Sequence, residues 1–173
     1  MVERVSSKKV YEGKIATVRI DEYRQRDGSV SEREVVGHPG AVAVIAHDDE
    51  FLYLVRQPRE AVSEDSVLEL PAGKLDVEGE TPEECAKREL AEEVGKAAAR
   101  WRERKRFYTS PGFAEEEVIL YEASDLSDAE SDPGEEEDLE VVPWPLEDLD
   151  AAIEECSDAK SLVGLLTFRE SRR

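Results

Sequence analysis

Three glutamates, Glu89, Glu92 and Glu93, stand at i, i+3 and i+4 in a segment that reads as a helix. That spacing gathers their side chains on one patch. Like charges held so close repel unless something positive lies among them. A hard divalent cation with oxygen ligands meets that requirement. Bound to such a patch, it would neutralise an anionic substrate and lower the pKa of a bound water. Arg88, next to the cluster, is placed to hold one carboxylate through a bidentate contact. Glutamate is also a good helix former, and acidic runs often mark a solvated face. The helix alone therefore leaves both readings open.

The helix can be delimited from its punctuation. Thr81 suits the N-cap, Pro82 the first helical position, and Glu84 completes a capping box with Thr81. Gly95 is the expected C-terminal stop. Ala86, Leu90 and Val94 recur every four residues and predict an apolar stripe resting on a core. The glutamate face is rotated away from that stripe, toward a cleft.

The segment from Gly73 to Lys96 resembles the Nudix box, G-x5-E-x7-R-E-U-x-E-E-x-G-U, with U a bulky aliphatic residue. Gly73 matches the first glycine, Glu80 the first glutamate, and Arg88 to Gly95 the remainder. Two positions depart from the pattern: six residues rather than five separate Gly73 from Glu80, and Lys96 replaces the last aliphatic residue. The extra residue falls in the turn before the helix, where added length is tolerated, and leaves the helical carboxylates unshifted. Flanking segments sharpen the resemblance. Arg33 to Val36, HPGAVAVI from His38, LVRQPR from Leu54, LELPAGKLD from Leu68 and SPGF from Ser110 look like those of ADP-ribose pyrophosphatases. The resemblance implies Mg2+- or Mn2+-dependent hydrolysis of ADP-ribose to AMP and ribose 5-phosphate. Two alternatives stand beside it. One is hydrolysis of another nucleoside diphosphate derivative, such as a nucleotide sugar or dinucleoside polyphosphate. The other is a non-catalytic ADP-ribose sensor, which the intact set of Glu89, Glu92 and Glu93 disfavours.

By the same resemblance, Glu89 and Glu93 are the principal metal ligands, Glu92 a further ligand or water-holder with a catalytic part, and the Ala72 carbonyl a backbone ligand. Arg88 joins the catalytic group. Gly73 would permit a tight turn that aims the carbonyl, and Glu80 supports the site. Glu116, in the loop after SPGF, is the candidate general base; Glu115 stands where relatives carry aspartate. Arg33, Arg56 and Arg59 are the candidates for holding phosphate, because arginine grips it through paired donors. Glu34 is expected at the adenine or ribose. The resemblance also implies a homodimer formed through the N-terminal strands, with Arg33 serving the partner subunit.

Composition sets the outer bounds. The chain has 173 residues, enough for one domain with a sizeable core, and 23 Lys+Arg against 43 Asp+Glu give a net charge of −20. Such a charge disfavours nucleic acid and anionic membranes as partners. It suggests adaptation to high salt, where dense carboxylates keep a protein hydrated. Cys85 and Cys156 are isolated and predict neither a zinc site nor a disulfide, Cys85 reading as a packing residue. His38 and His47 form no metal motif, and His38 reads as packing before a strand. Trp101 and Trp144 read as core or interface anchors. The absence of a spanning apolar run and of a signal-peptide core argues for a cytoplasmic protein.

Strands are expected at 15–23 and 30–36, joined by an Asp27-Gly28 hairpin turn, and at 41–46, 51–57, 104–108 and 117–121, with 67–70 leading into the glycine turn. Residues 124–140 read as a solvated acidic loop, and 146–155 and 161–169 as helices. The pattern predicts an α/β (α+β) architecture, a mixed β-sheet sandwiched between helices with an N-terminal antiparallel strand region; the resemblance supplies the Nudix fold. Residues 1–36 form the expected dimerisation segment and residues 37–173 the hydrolase domain.

Overall fold

A computed structural model describes residues 3–129 and 138–173. The chain divides into two compact units, Met1–Gly40 with Tyr108–Glu117, and Ala41–Phe107 with Val118–Arg173.

The first unit is a three-stranded antiparallel sheet of β1 (Glu3–Glu12), β2 (Thr17–Arg24) and β3 (Val30–Gly37), in that order. The expected hairpin turn is present. Asp27 Oδ1 accepts the Ser29 N–H at 3.0 Å, and Gly28 takes φ +86°, which glycine adopts without steric cost. β1 was not legible as a strand, because ERVSSKKVYE has no clean alternation; every one of its residues is exposed. The loop before residue 117 is stitched to β3: Val36 N–H donates to the Phe113 carbonyl and Glu115 N–H to the Val36 carbonyl.

The second unit is built on β4 (Ala41–His47), β5 (Phe51–Arg59), β6 (Glu64–Glu69), β7 (Ala72–Lys74), β8 (Lys96–Tyr108), β9 (Glu117–Asp128) and β10 (Glu140–Pro145). Its sheet runs β10-β5-β4-β9-β8, with β6 paired to β5 and β7 to β4. β4 and β9 are parallel while β4–β5 and β5–β10 are antiparallel, so the sheet is mixed. Three helices, α1 (Pro82–Val94), α2 (Leu149–Glu155) and α3 (Ala159–Ser171), cover it. β4 is sandwiched, which is why AVAVIA is an unbroken apolar run. Ala41, Ala43 and Ile45 pack with Leu149, Ala152, Leu165 and Phe168 of α2 and α3. Val42, Val44 and Ala46 pack with Cys85, Ala86, Leu90 and Val94 of α1. The stripe expected on α1 is thus its buried face, and truncating Leu90 to Ala would cost about 2–5 kcal/mol. Cys85 and Cys156 are free and buried, in keeping with packing roles.

Three expectations are corrected. β8 begins at Lys96, immediately after α1, rather than at 104. Its opening stretch, KAAARWRER, is too charged to read as a strand, but it lies at the end of the sheet, where charged side chains are favoured. β9 continues to Asp128, so residues 124–128 are strand and not loop. Residues 130–137 of that acidic stretch lie outside the described residues. β10 was missed because Pro143 and Pro145 argue against a strand; both are tolerated at a sheet edge.

Candidate active site

α1 starts and ends as its sequence dictates. Thr81 Oγ1 accepts the Glu84 N–H at 3.3 Å, Glu84 Oε2 accepts the Thr81 N–H at 2.8 Å, and Gly95 closes the helix at φ +70°. With the apolar stripe seated on β4, the helix can turn its carboxylates only to the remaining sides.

The positive group among them is Arg88. Its Nε and Nη2 donate to Glu80 at 2.9 and 3.1 Å, and Nη1 donates to Glu89 at 2.7 Å and Glu92 at 2.8 Å. These contacts, Glu80 foremost, drive the Arg88 pKa upward, and Arg88 in turn holds Glu80 below the usual carboxylate range. One guanidinium therefore gathers three of the carboxylates marked out by the sequence. Glu93 is buried, and its Oε2 accepts the Ala72 N–H at 3.0 Å, which ties the helix to β7.

Gly73 has a different role from the tight turn expected of it. It lies inside β7, opposite Val42, and its φ is not in the left-handed region. A Cβ at Gly73 would fall well inside contact distance of Glu89 Cγ, Cδ and Oε1. The glycine is needed because the Glu89 side chain lies across the backbone there.

The chemistry of this donor set suits a hard divalent ion. Glu89, Glu92, Glu93 and the β7 backbone are all oxygen donors, and the space over Gly73 is reserved for a carboxylate. Among the described residues, no three His, Cys, Asp or Glu side chains already converge on a cation-sized point. The carboxylates are instead arranged around Arg88 and the Ala72 amide.

The arginines expected to hold phosphate differ in setting. Arg59 grips Glu69 through Nε at 2.6 Å and Nη2 at 2.7 Å, while Arg56 is ion-paired with Glu155. Hydrogen bonding to Glu69 raises the Arg59 pKa, and Glu93 is near enough to add to the effect. Arg33 and Glu34 belong to β3 in the first unit, where both are exposed and Arg33 Nη1 donates to the Glu32 carbonyl at 2.7 Å.

Glu116 also lies in the first unit. Thr109 Oγ1 donates to its Oε2 at 2.7 Å, and His38 Nδ1 stands 3.8 Å from its Oε1. Its neighbour Glu115 is held by the guanidinium of Arg19, which also reaches Asp21 at 2.9 Å and lowers the Glu115 pKa. Asp21 is fully buried. Burial alone would raise its pKa, but hydrogen bonds from Ser7, Arg19 and Arg4 outweigh this and hold it at about 2.

Sequence reasoning missed Arg19, Glu69, Thr109 and Lys160. Glu69 carried a signal: it is the lone charge in the apolar run VLELP. Arg19 and Lys160 are ordinary cations whose telling partners, Glu115 and Glu69, lie 96 and 91 residues away, and Thr109 is an ordinary polar residue seven positions before Glu116.

A mixed sheet between helices, with a glutamate-bearing helix capped against a glycine strand, defines a recognisable class. The NUDIX domain matches residues 37–163, and the chain belongs to that family. It is 40% identical to an ADP-ribose pyrophosphatase of Bacillus subtilis (strain 168), over 93% of this chain and 89% of the relative. A methanol dehydrogenase activator of Bacillus methanolicus is 36% identical over the same shares. An ADP-ribose pyrophosphatase of Mycobacterium tuberculosis is 43% identical over 72% of this chain and 60% of the relative. The crystal structure of an ADP compounds hydrolase matches with a TM-score of 0.85 at 25% identity, covering 98% of this chain and 93% of that one.

Proposed function

We propose that this protein hydrolyses the diphosphate bond of ADP-ribose to AMP and ribose 5-phosphate. The observation that carries the reading is the arrangement of Glu80, Glu89 and Glu92 around Arg88, with Glu93 anchored to β7, in a chain 40% identical to an ADP-ribose pyrophosphatase along most of its length. A diphosphate is doubly anionic and repels an attacking hydroxide. A divalent ion, Mg2+ or Mn2+, would neutralise it and lower the pKa of a bound water. Glu89, Glu93, Glu92 and the Ala72 carbonyl would hold that ion. Arg88 keeps Glu89 and Glu92 gathered, and Glu80 braces Arg88 from the other side. Arg59, Arg56 and Arg33 are the proposed phosphate contacts, with Glu34 at the nucleoside. Glu116 is proposed as the general base, its carboxylate oriented by Thr109.

The same reading takes the first unit as a homodimer face. β1 is exposed along its whole length, and Val5, Val10, Tyr11 and Ile15 are among the exposed apolar side chains. Sedimentation of the intact chain as a monomer would remove that part. No helix among the described residues is long and apolar enough to cross a membrane. The charge of −20 supports a salt-adapted enzyme.

The test is a substrate panel with Mg2+ at high salt, following release of AMP. ADP-ribose should be the preferred substrate. Inert ADP-ribose beside rapid turnover of a nucleotide sugar or dinucleoside polyphosphate would move the assignment to that substrate.

A further inference from the structure

Arg59 is not held by a single carboxylate. Glu69, at the end of β6, is 2% exposed, and both its oxygens are occupied. Oε1 accepts Arg59 Nε at 2.6 Å, while Oε2 accepts Arg59 Nη2 at 2.7 Å and Lys160 Nζ at 2.6 Å. Lys160 also donates to Asp158 Oδ2 at 2.9 Å. Asp158 caps α3 through the Ser161 N–H, and the Ser161 hydroxyl accepts the N–H of Leu70, next to Glu69. The start of α3 and the end of β6 are therefore locked together around one buried carboxylate.

The burial is graded: Glu69 is enclosed, the Lys160 side chain is 15% exposed, and that of Arg59 is 41% exposed. Arg59 presents its Nε and Nη2 edge to Glu69. A guanidinium has five N–H donors in a rigid fork, so its Nη1 edge points away from the carboxylate. Arg59 also lies within electrostatic reach of Glu93.

We propose that Lys160, with Glu69 and Asp158, is a positioning residue that fixes the Arg59 fork for a substrate diphosphate. The inference rests on the hydrolase reading above. Lys160 acts in two ways. It pins Glu69 Oε2, so the carboxylate cannot rotate and carry the guanidinium with it. It also shares the single negative charge of Glu69, which leaves Arg59 less neutralised than a private ion pair would. A purely structural role would behave differently: removing Lys160 would then lower stability through the uncompensated charge of Glu69 and leave ligand affinity unmoved.

The experiment compares wild type, Lys160→Met, Lys160→Arg, Arg59→Met and the double variant Arg59→Met/Lys160→Met. It measures steady-state kinetics with Mg2+ and calorimetric binding of an α,β-methylene analogue of ADP-ribose. For Lys160→Met, KM and the analogue Kd should rise about tenfold, the effect of one charge-assisted contact. Its kcat should change by less than about twofold, as expected for lost binding rather than lost chemistry. Lys160→Arg should restore both constants, and the double variant should bind no worse than Arg59→Met alone. An unchanged Kd in Lys160→Met, or losses that multiply in the double variant, overturns the proposal. If Lys160→Met does not fold, Lys160→Ser, polar but too short to reach Glu69 Oε2, decides it; wild-type affinity there overturns the proposal. A wild type that prefers another diphosphate refutes the substrate assignment alone, and the same variants are then run on that substrate. A wild type that hydrolyses none removes both.

Discussion

Gly73→Ala separates positioning from folding more cleanly than any change to a glutamate. The new Cβ would collide with Glu89 Cγ, Cδ and Oε1, all atoms of a flexible side chain rather than backbone. Glu89 can leave by rotating, at about 0.5–1.5 kcal/mol for a poor rotamer. It also gives up its 2.7 Å hydrogen bond from Arg88, about 1 kcal/mol at a partly exposed site. Against this, alanine stabilises by about 0.4–1 kcal/mol through the unfolded chain, because the backbone at Gly73 is not left-handed. The net loss of stability should be about 1 kcal/mol, a melting shift of roughly 2–4 °C for a chain of this size. Activity should respond on another scale. A ligand displaced by an ångström or more costs about a hundredfold in rate. The assay is kcat/KM for ADP-ribose across a Mg2+ titration, paired with a thermal melt. Expected is a nearly native melt, a fall of about a hundredfold, and a Mg2+ requirement shifted to higher concentration. Wild-type turnover in a folded Gly73→Ala protein would refute the claim that the Glu89 seat matters, and with it the metal role of Glu89.

Further expectations follow the same logic. Glu93→Gln keeps the acceptor for the Ala72 N–H but removes the charge, so kcat should fall by about a hundredfold or more with an unaltered melt; near-normal turnover would exclude Glu93 as a ligand. Glu116→Gln should lower kcat and abolish the acidic limb of its pH profile, and a retained limb would place the base elsewhere. Asp21 titrates at about 2 when folded against an ordinary 3.8, so its stabilising effect is complete above pH 4 and fades as pH falls toward 2. Asp21→Asn, measured by denaturant midpoint against pH, should be less stable at pH 7 and show a shallower loss between pH 4 and 2; an unchanged slope would contradict this. Raising KCl from 10 mM to 1 M shortens the screening length from about 30 to 3 Å. Surface ion pairs weaken, yet the repulsion of a −20 chain weakens more, and the melting temperature should rise. A flat or falling melt would count against salt adaptation.

What could be read in advance was what local physics controls. The α1 boundaries followed from Thr81, Pro82, Glu84 and Gly95, and its buried stripe from the four-residue period of Ala86, Leu90 and Val94. The acidic cluster and the need for a positive group within it also followed from spacing. The filling of that need by Arg88 on three carboxylates at once was only half visible, because the Glu80 contact reaches back past the N-cap. The sequence was silent where meaning depends on a distant partner. Lys96–Arg104 looks too charged for a strand until its place at a sheet edge is known, and Pro143 looks like a breaker until β10 proves to be the opposite edge. Lys160 follows the same rule: its neighbours describe an ordinary helix start, and its partner Glu69 lies 91 residues earlier. In a chain with 23 cations against 43 acids, many of the described cations pair with an exposed carboxylate, as Lys9 does with Glu12 and Lys87 with Glu83. Those whose carboxylate partner is itself buried, Arg59 and Lys160 on Glu69 and Arg19 and Arg4 on Asp21, are different in kind. Burying a carboxylate is costly unless charged donors surround it, so a cation there is held in one geometry as a surface cation is not. That constraint is what the proposed phosphate-holding role of Arg59 requires, and it is why the Lys160 variants are the test of that role.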